Sequence, residues 1–195
     1  DQGLDQKFTC TVVVETDWGG RTQGVVWLDK GIPIILKAFK EFGVKALFFI
    51  NSEIIERRAG VIQDILNEGH EIGCHGHFHI CFKESWRAYQ NMMICQTLLK
   101  AFTNQSYFYW RAPKFSTVFF QQPYSDMEDH VGLLKQAWFG GKIPEKPIFY
   151  LHPFDLVSAE NRAPNFFCKL WYSKPRIAHE TFRRLLHENM SDKRS

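Results

Sequence analysis

The chain has 195 residues, 45% hydrophobic and 15% aromatic, which excludes a disordered chain and suits a single domain over residues 1–195 with a sizeable core. A formal charge of +3, with Lys and Arg scattered, excludes a phosphate-tracking nucleic-acid surface. No apolar run has the length of a membrane span, no signal-like segment opens the chain, and five cysteines without disulfide-framework spacing favour a cytoplasmic setting over secretion.

Residues 8 to 15, β-branched and almost continuously apolar, predict a buried strand. It runs into Thr16-Asp17-Trp18-Gly19-Gly20, a loop with no phosphate-binding Lys-Ser/Thr after it. Glu15 and Asp17 would share one side of an extended chain, and two carboxylates there are costly without a cation or a job. Ile32, Ile35, Leu36 and Phe39 predict a helix over residues 31 to 42, stopped by Gly43. A second strand follows at residues 44 to 50. Ser52 is a candidate cap for a helix over 53 to 68, which Gly69 would end.

A short strand at residues 70 to 74 leads to His75, His77 and His79. Imidazole is a common metal ligand, and the His-x-x-x-His spacing of His75 and His79 can aim two rings at one point. A helix over 83 to 102 has Trp86, Met93 and Leu98 as candidate core residues. A fourth strand, residues 107 to 110, ends at Arg111-Ala112-Pro113. Residues 115 to 146 break the pattern, apart from a strand-like piece from Leu133 to Phe139. Residues 147 to 151 form a last strand that delivers His152, because Pro153 cannot continue a ladder. The closing helix covers 178 to 189, with Phe182, Leu185 and Leu186 inward.

Alternating strands and helices imply parallel strands with helices outside, and function at the carboxyl ends of the strands. Glu15, Asp17, the histidines, Arg111 and His152 all fall at such ends. Two histidines and one carboxylate would leave a metal with open positions, as catalysis requires. An extended backbone would instead align His75, His77 and His79 as a three-histidine site, although Gly76 breaks the strand. Cys74 and Cys81 could form a structural zinc site, but no Cys-x-x-Cys pair supports it.

These motifs resemble those of the polysaccharide deacetylase family, carbohydrate esterase family 4. The matching pieces are Glu15-Thr16-Asp17, the run Gly69-His70-Glu71-Ile72-Gly73-Cys74-His75 extended to His79, Arg111-Ala112-Pro113 and Leu151-His152-Pro153. The resemblance implies a distorted, incomplete (β/α) barrel of about seven strands and a metal-dependent hydrolase. Its reaction would remove an acetyl or formyl group from an amino sugar of a polysaccharide or of a lipid- or nucleotide-linked glycan. It implies that Asp17, His75 and His79 bind the metal, that Glu15 is the general base held by Arg111, and that His152 is the general acid. The gap in Glu15-Thr16-Asp17 departs from the family's adjacent acidic pair, and Asp155 is the candidate for the acid behind the catalytic histidine. Zn²⁺ is the default metal, with Co²⁺, Ni²⁺ or Fe²⁺ compatible. Trp18 and Trp138 are candidate sugar-stacking residues, with core packing as the alternative. The rival readings are hydrolysis of a small cyclic amide or ureide, as in allantoinase-like relatives, and a non-catalytic carbohydrate-binding domain.

Overall fold

A computed structural model describes residues 9–17, 24–105, 109–115, 130–144, 147–157 and 175–190. Its centre is β1 (Cys10–Val14), whose five residues are all buried. A strand covered on both faces needs apolar side chains on both, and Cys-Thr-Val-Val-Val supplies them. Thr11 is the polar exception, and its hydroxyl donates to the Phe149 carbonyl at 3.1 Å. Around β1 lie β2 (Leu47–Ile50), β3 (Glu71–Cys74), β4 (His130–Gly132) and β5 (Ile148–Leu151). The order is β3-β2-β1-β5-β4, and every pair is parallel. The sheet is therefore an α/β parallel sheet, with five strands among the described residues.

The register determines what meets at the edge. Val14 pairs with Ile50, and Ile50 with Cys74. Glu15, Asn51 and His75 are thus the first residues beyond three neighbouring strands. His152 is the first beyond β5, whose Leu151 pairs with Val12. One edge collects four polar side chains because every strand runs the same way.

Helix α1 (Val26–Phe42) begins five residues earlier than its apolar spacing predicts. Its opening amides are satisfied by Asp17, nine and ten residues upstream, a partner that a local search for a cap does not reach. Its end matches expectation. Gly43 has φ 65°, its N–H donates to Lys40 O at 3.3 Å, and that of Val44 to Phe39 O at 2.8 Å, a Schellman closure. Gly31 lies against the turn Pro153–Leu156. A Cβ there would sit 2.1 Å from the Pro153 carbonyl oxygen, so only glycine lets α1 approach the segment that follows His152.

Helix α2 (Glu53–Asn67) follows β2, but Ser52 does not cap it: its backbone is itself helical, and its hydroxyl meets His77 Nδ1 at 2.9 Å. Helix α3 (Ser85–Thr103) buries Asn91, Met92, Cys95 and Leu99. Trp86, Met93 and Leu98, the expected core residues, are exposed. The inward stripe is rotated because it includes a polar residue, Asn91, which apolar periodicity passes over. The segment from Leu133 to Phe139, expected to be strand-like, is helix α4. It follows β4 directly and opens with Leu, Leu, Lys, Gln and Ala, good helix formers with no β-branching. Of the expected fourth strand, Trp110 makes one parallel bridge to Cys74, while residues 106–108 lie outside the described residues. Helix α5 (Pro175–Met190) buries Phe182, Leu185 and Leu186 as predicted. Among the described residues no helix is long and apolar enough to cross a membrane.

His70 is a buried core histidine. Its Nδ1 accepts the Ala46 amide at 3.3 Å, and its ring packs on Phe39 and Phe48 at 5.4 and 5.1 Å. Burial, with the nearby Lys45 charge, lowers its pKa to about 4. The unfolded chain therefore binds the proton more tightly. The neutral form's contribution is present above pH 6.5 and is lost as pH falls through about 4, up to about 3 kcal/mol. Denaturant melts of wild type and His70→Gln across this window should show a shallower acid slope in the variant. Parallel slopes would assign the acid sensitivity to other groups.

Candidate metal centre

Glu15 is 1% exposed. Its Oε2 lies 3.0 Å from His79 Nε2 and 3.9 Å from His75 Nε2, and its Oε1 lies 3.6 Å from His152 Nε2. One ligand atom from each of Glu15, His75 and His79 falls within 4.8 Å of the others. Despite its close neighbours, Oε2 has no hydrogen-bond partner of ordinary geometry among the described residues.

The proton on His75 is located by its surroundings. Nδ1 lies 2.8 Å from the Arg111 carbonyl oxygen, which can only accept. Nδ1 therefore carries the hydrogen, and the Nε2 lone pair faces Glu15. Burial, with His79 alongside, lowers the His75 pKa to about 3, so the ring is neutral at neutral pH. Burial alone would raise the Glu15 carboxyl, but His79, His152 and His75 outweigh it and lower its pKa. A carboxylate oxygen and an imidazole lone pair thus face one point, an arrangement of acceptors that calls for a cation. The donor set, two imidazoles and one carboxylate, suits a tetrahedral divalent ion with one position left open.

The elements explain the convergence. Glu15 and His75 leave adjacent parallel edges, and His79 returns through a loop whose Gly76 has φ 87°. Asn51, at the same edge, donates from Nδ2 to the carbonyls of His75 and Gly76 at 2.9 and 3.1 Å. His77 turns aside to Ser52 and is no part of the cluster, so the aligned three-histidine arrangement does not form. Cys74 is buried with Sγ toward the Met92 carbonyl, and Cys81 is exposed. The cluster contains neither cysteine.

Two side chains differ from expectation. Asp17 was expected beside the histidines, but its two oxygens accept the Val26 and Trp27 amides, each at 3.2 Å. Glu15 stands in that place, because it is the residue that leaves β1 in register with His75. Gly24 crowds Asp17 as well: a Cβ there would lie 2.3 Å from Oδ2. Arg111 was expected to hold Glu15. It is fully buried, and its guanidinium donates to Thr11 Oγ1 and His130 Nε2, both at 2.9 Å, with Cζ 4.3 Å from the Phe49 ring centre. Among the described residues, the ionisable side chains beside Glu15 are the three histidines.

His152 meets Asp155 behind it. The His152 amide donates to Asp155 Oδ2 at 2.7 Å, and Nδ1 lies 3.6 Å from the same oxygen. Burial opposes protonation of His152, but Asp155 and then Glu15 outweigh it and raise its pKa. Its ring stacks on Phe154 at 4.7 Å. Trp138 is half-buried on α4, and Trp18 lies outside the described residues.

Sequence reading passed over Asn51, Asn91 and His130. Asn51 obeys the same edge rule as Glu15 and His75, so a search for any polar residue just past a buried strand would have found it. Asn91 interrupts an apolar stripe. His130 carries no local signal.

A family model described as polysaccharide deacetylase matches residues 24–133. No curated protein sequence matches the chain. Among solved structures, the chain resembles a family 4 carbohydrate esterase pseudoenzyme from Bacillus anthracis, with 16% identity, TM-score 0.56, and coverage of 95% of this chain and 63% of that one. It also resembles the peptidoglycan deacetylase PdaC from Bacillus subtilis, with 13% identity, TM-score 0.56, and coverage of 94% and 85%. A family 4 carbohydrate esterase from Bacillus anthracis aligns at 16% identity and TM-score 0.53, with coverage of 97% and 79%. The chain therefore spans under two thirds of the pseudoenzyme's length. At these identities the structures establish the shared fold, and the family model, which covers more than half of the chain, establishes that it belongs to the polysaccharide deacetylase family.

Proposed function

We propose that the chain is a metal-dependent hydrolase that removes an acetyl or formyl group from the nitrogen of an amino sugar, borne by a polysaccharide or by a lipid- or nucleotide-linked glycan. The observation that carries this is the buried Glu15 Oε2 facing the Nε2 atoms of His75 and His79, with the His75 tautomer set by Arg111 O. Family membership supports the carbohydrate amide as substrate. We read the sheet as part of an incomplete (β/α) barrel of about seven strands.

Glu15, His75 and His79 would hold the ion, with Zn²⁺ the default and Co²⁺, Ni²⁺ or Fe²⁺ compatible with the same donors. When bound, it supplies Lewis acidity toward the amide carbonyl and lowers the pKa of water. The proton traffic falls to His152. Its Nε2 faces the cluster and its Nδ1 faces Asp155, which keeps the ring oriented and favours the imidazolium. In its neutral form His152 takes a proton at Nε2 from the attacking water, and the resulting imidazolium, stabilised by Asp155, returns that proton to the departing amine as the C–N bond breaks and the carboxylic acid forms. Glu15 moves from the base expected of it to the ligand set, and Asp17 from ligand to helix cap. Arg111 acts through its carbonyl on His75 and braces the sheet from below with its guanidinium.

A second reading is a metal-binding but non-catalytic carbohydrate-binding domain. Both oxygens of Asp17 are engaged by α1, which leaves no second free carboxylate from the first motif, and one protein of this fold is a pseudoenzyme. Metal analysis of the purified protein, together with acetate and formate release from a panel of N-acylated sugars, separates the readings. Metal without release from any sugar would favour the second.

Single substitutions test the roles. Glu15→Gln, His75→Ala and His79→Ala should each weaken metal affinity by more than about 100-fold, measured calorimetrically on the apoprotein. His152→Ala should keep the metal and lower kcat by about 10²–10⁴-fold. Asp17→Ala should also keep the metal and cost about 1 kcal/mol of stability through the lost α1 cap. Loss of the metal in Asp17→Ala with its retention in Glu15→Gln would restore the roles expected from the sequence.

A further inference from the structure

The two histidine ligands of the proposed centre are four residues apart, and the backbone between them must turn sharply for both rings to converge. The peptide groups on that path are tied down from two sides. From the α2 side, Asn51 Nδ2 reaches the carbonyls of His75 and Gly76, the Ser52 amide donates to Gly76 O at 3.1 Å, and the Glu53 amide to His77 O at 3.3 Å. From the α3 side, one residue supplies the contacts. Asn91 Oδ1 accepts the Phe78 amide at 2.9 Å, Asn91 Nδ2 donates to the Phe78 carbonyl at 3.0 Å, and Asn91 O accepts the His77 amide at 3.0 Å.

A carboxamide that answers both the N–H and the C=O of one residue behaves as a neighbouring strand would. Asn91 is 5% exposed on the inward stripe of α3 beside Met92, Cys95 and Leu99. An amide buried there is costly unless it is fully used, and these bonds use both ends. Gly76 is its steric complement. A Cβ at Gly76 would lie 2.4 Å from Asn91 Nδ2, and its φ of 87° disfavours any side chain. Glycine between the two ligands therefore lets Asn91 reach Phe78, the residue directly before His79.

We infer that Asn91 is a positioning residue for the metal centre: it locks the Gly76–Phe78 turn so that His79 Nε2 comes to the point that His75 Nε2 and Glu15 Oε2 already face. It touches no reacting atom. The inference rests on the metal reading proposed above. Replacement of the carboxamide frees the Phe78 peptide and lets His79 swing, while His75, held by Arg111 O, stays in place.

The test titrates Zn²⁺ and Co²⁺ into the apoprotein of wild type, Asn91→Ala, Asn91→Asp, Gly76→Ala and the Asn91→Ala/Gly76→Ala double variant. Affinity is read by calorimetry and coordination by the visible Co²⁺ spectrum, with far-UV circular dichroism reporting the fold. Asn91→Ala should weaken binding about 10–100-fold and alter the Co²⁺ bands of the folded protein. Asn91→Asp keeps the acceptor for the Phe78 amide and loses the donor, so its loss should be smaller; it also carries the test if Asn91→Ala does not fold. Gly76→Ala should resemble Asn91→Ala, and the double variant should fall well short of the product of the two losses, because both break one contact. A folded Asn91→Ala with wild-type affinity and spectrum but a lower Tm would overturn the inference by showing a purely structural role. Multiplicative losses in the double variant would overturn the coupling with Gly76. No binding by wild type would instead remove the metal reading itself.

Discussion

A carboxylate buried at the end of a buried strand is the constraint from which the rest of the site follows. Removing a charge of this kind from water costs several kcal/mol even after relaxation. Glu15 sits just past β1, the central strand of the described sheet, with almost no exposed surface. Its neighbours answer that cost: three imidazoles surround it, two of them on Oε2 and one on Oε1. His75 meets it with a lone pair rather than a proton, because Arg111 O has claimed the other ring nitrogen. A cluster built only for stability would present protons to the carboxylate. At His75 this one presents an unprotonated nitrogen instead, which is the observation behind the proposed cation.

The scaffold behind the cluster consists of close approaches rather than long-range forces. Parallel register brings Glu15, Asn51 and His75 side by side. The other side of the site arrives differently, since β5 ends lower in the sheet and His152 reaches the cluster from the turn that Pro153 starts. That turn is pressed against α1 at Gly31, where a single methyl group would collide with the Pro153 carbonyl. Asp155, in the same turn, folds back on the His152 amide. The Glu15–His75–His79 side and the His152 side are thus set by separate contacts, and α1 touches both through Asp17 and Gly31. Mobility of α1 relative to the sheet would change the distance between His152 and the Glu15–His75–His79 cluster.

Most strands were legible because their composition leaves little choice: β1, β2 and β5 are short, largely apolar runs bounded by turn or polar residues. The place of the site was legible too, because His75, His79 and His152 occur just past the carboxyl ends of parallel strands. What could not be read was which of two nearby acids meets the histidines. Glu15 and Asp17 differ by two residues, and the choice depends on α1 starting at Val26 and drawing Asp17 to its amides. That partnership spans nine and ten residues of sequence, so no local pattern announces it. The phase of α3 was misread for a related reason. Its buried side includes Asn91, and a stripe defined by apolar residues alone settles on Trp86, Met93 and Leu98, which face outward. In both cases a polar group with a distant partner overrode the local signal.

Arg111 shows how a motif residue can matter through a part other than its charge. A guanidinium near an acidic pair suggests an ion pair, and the resemblance to known deacetylases points the same way. Here the guanidinium runs beneath the sheet, donating to Thr11 on β1 and His130 on β4 while lying over Phe49 of β2. Those three strands are not mutual neighbours: β5 separates β1 from β4. The side chain therefore bridges the sheet from one half to the other, where a flexible ammonium without the planar fork could not serve both acceptors at once. Its main chain, anchored by a hydrogen bond that its N–H donates to Cys74 O, offers the carbonyl that fixes the His75 tautomer. The brace and the tautomer are thus one device. The side chain holds residue 111 at a definite height beside β3, and that height decides which nitrogen of His75 is left to face Glu15.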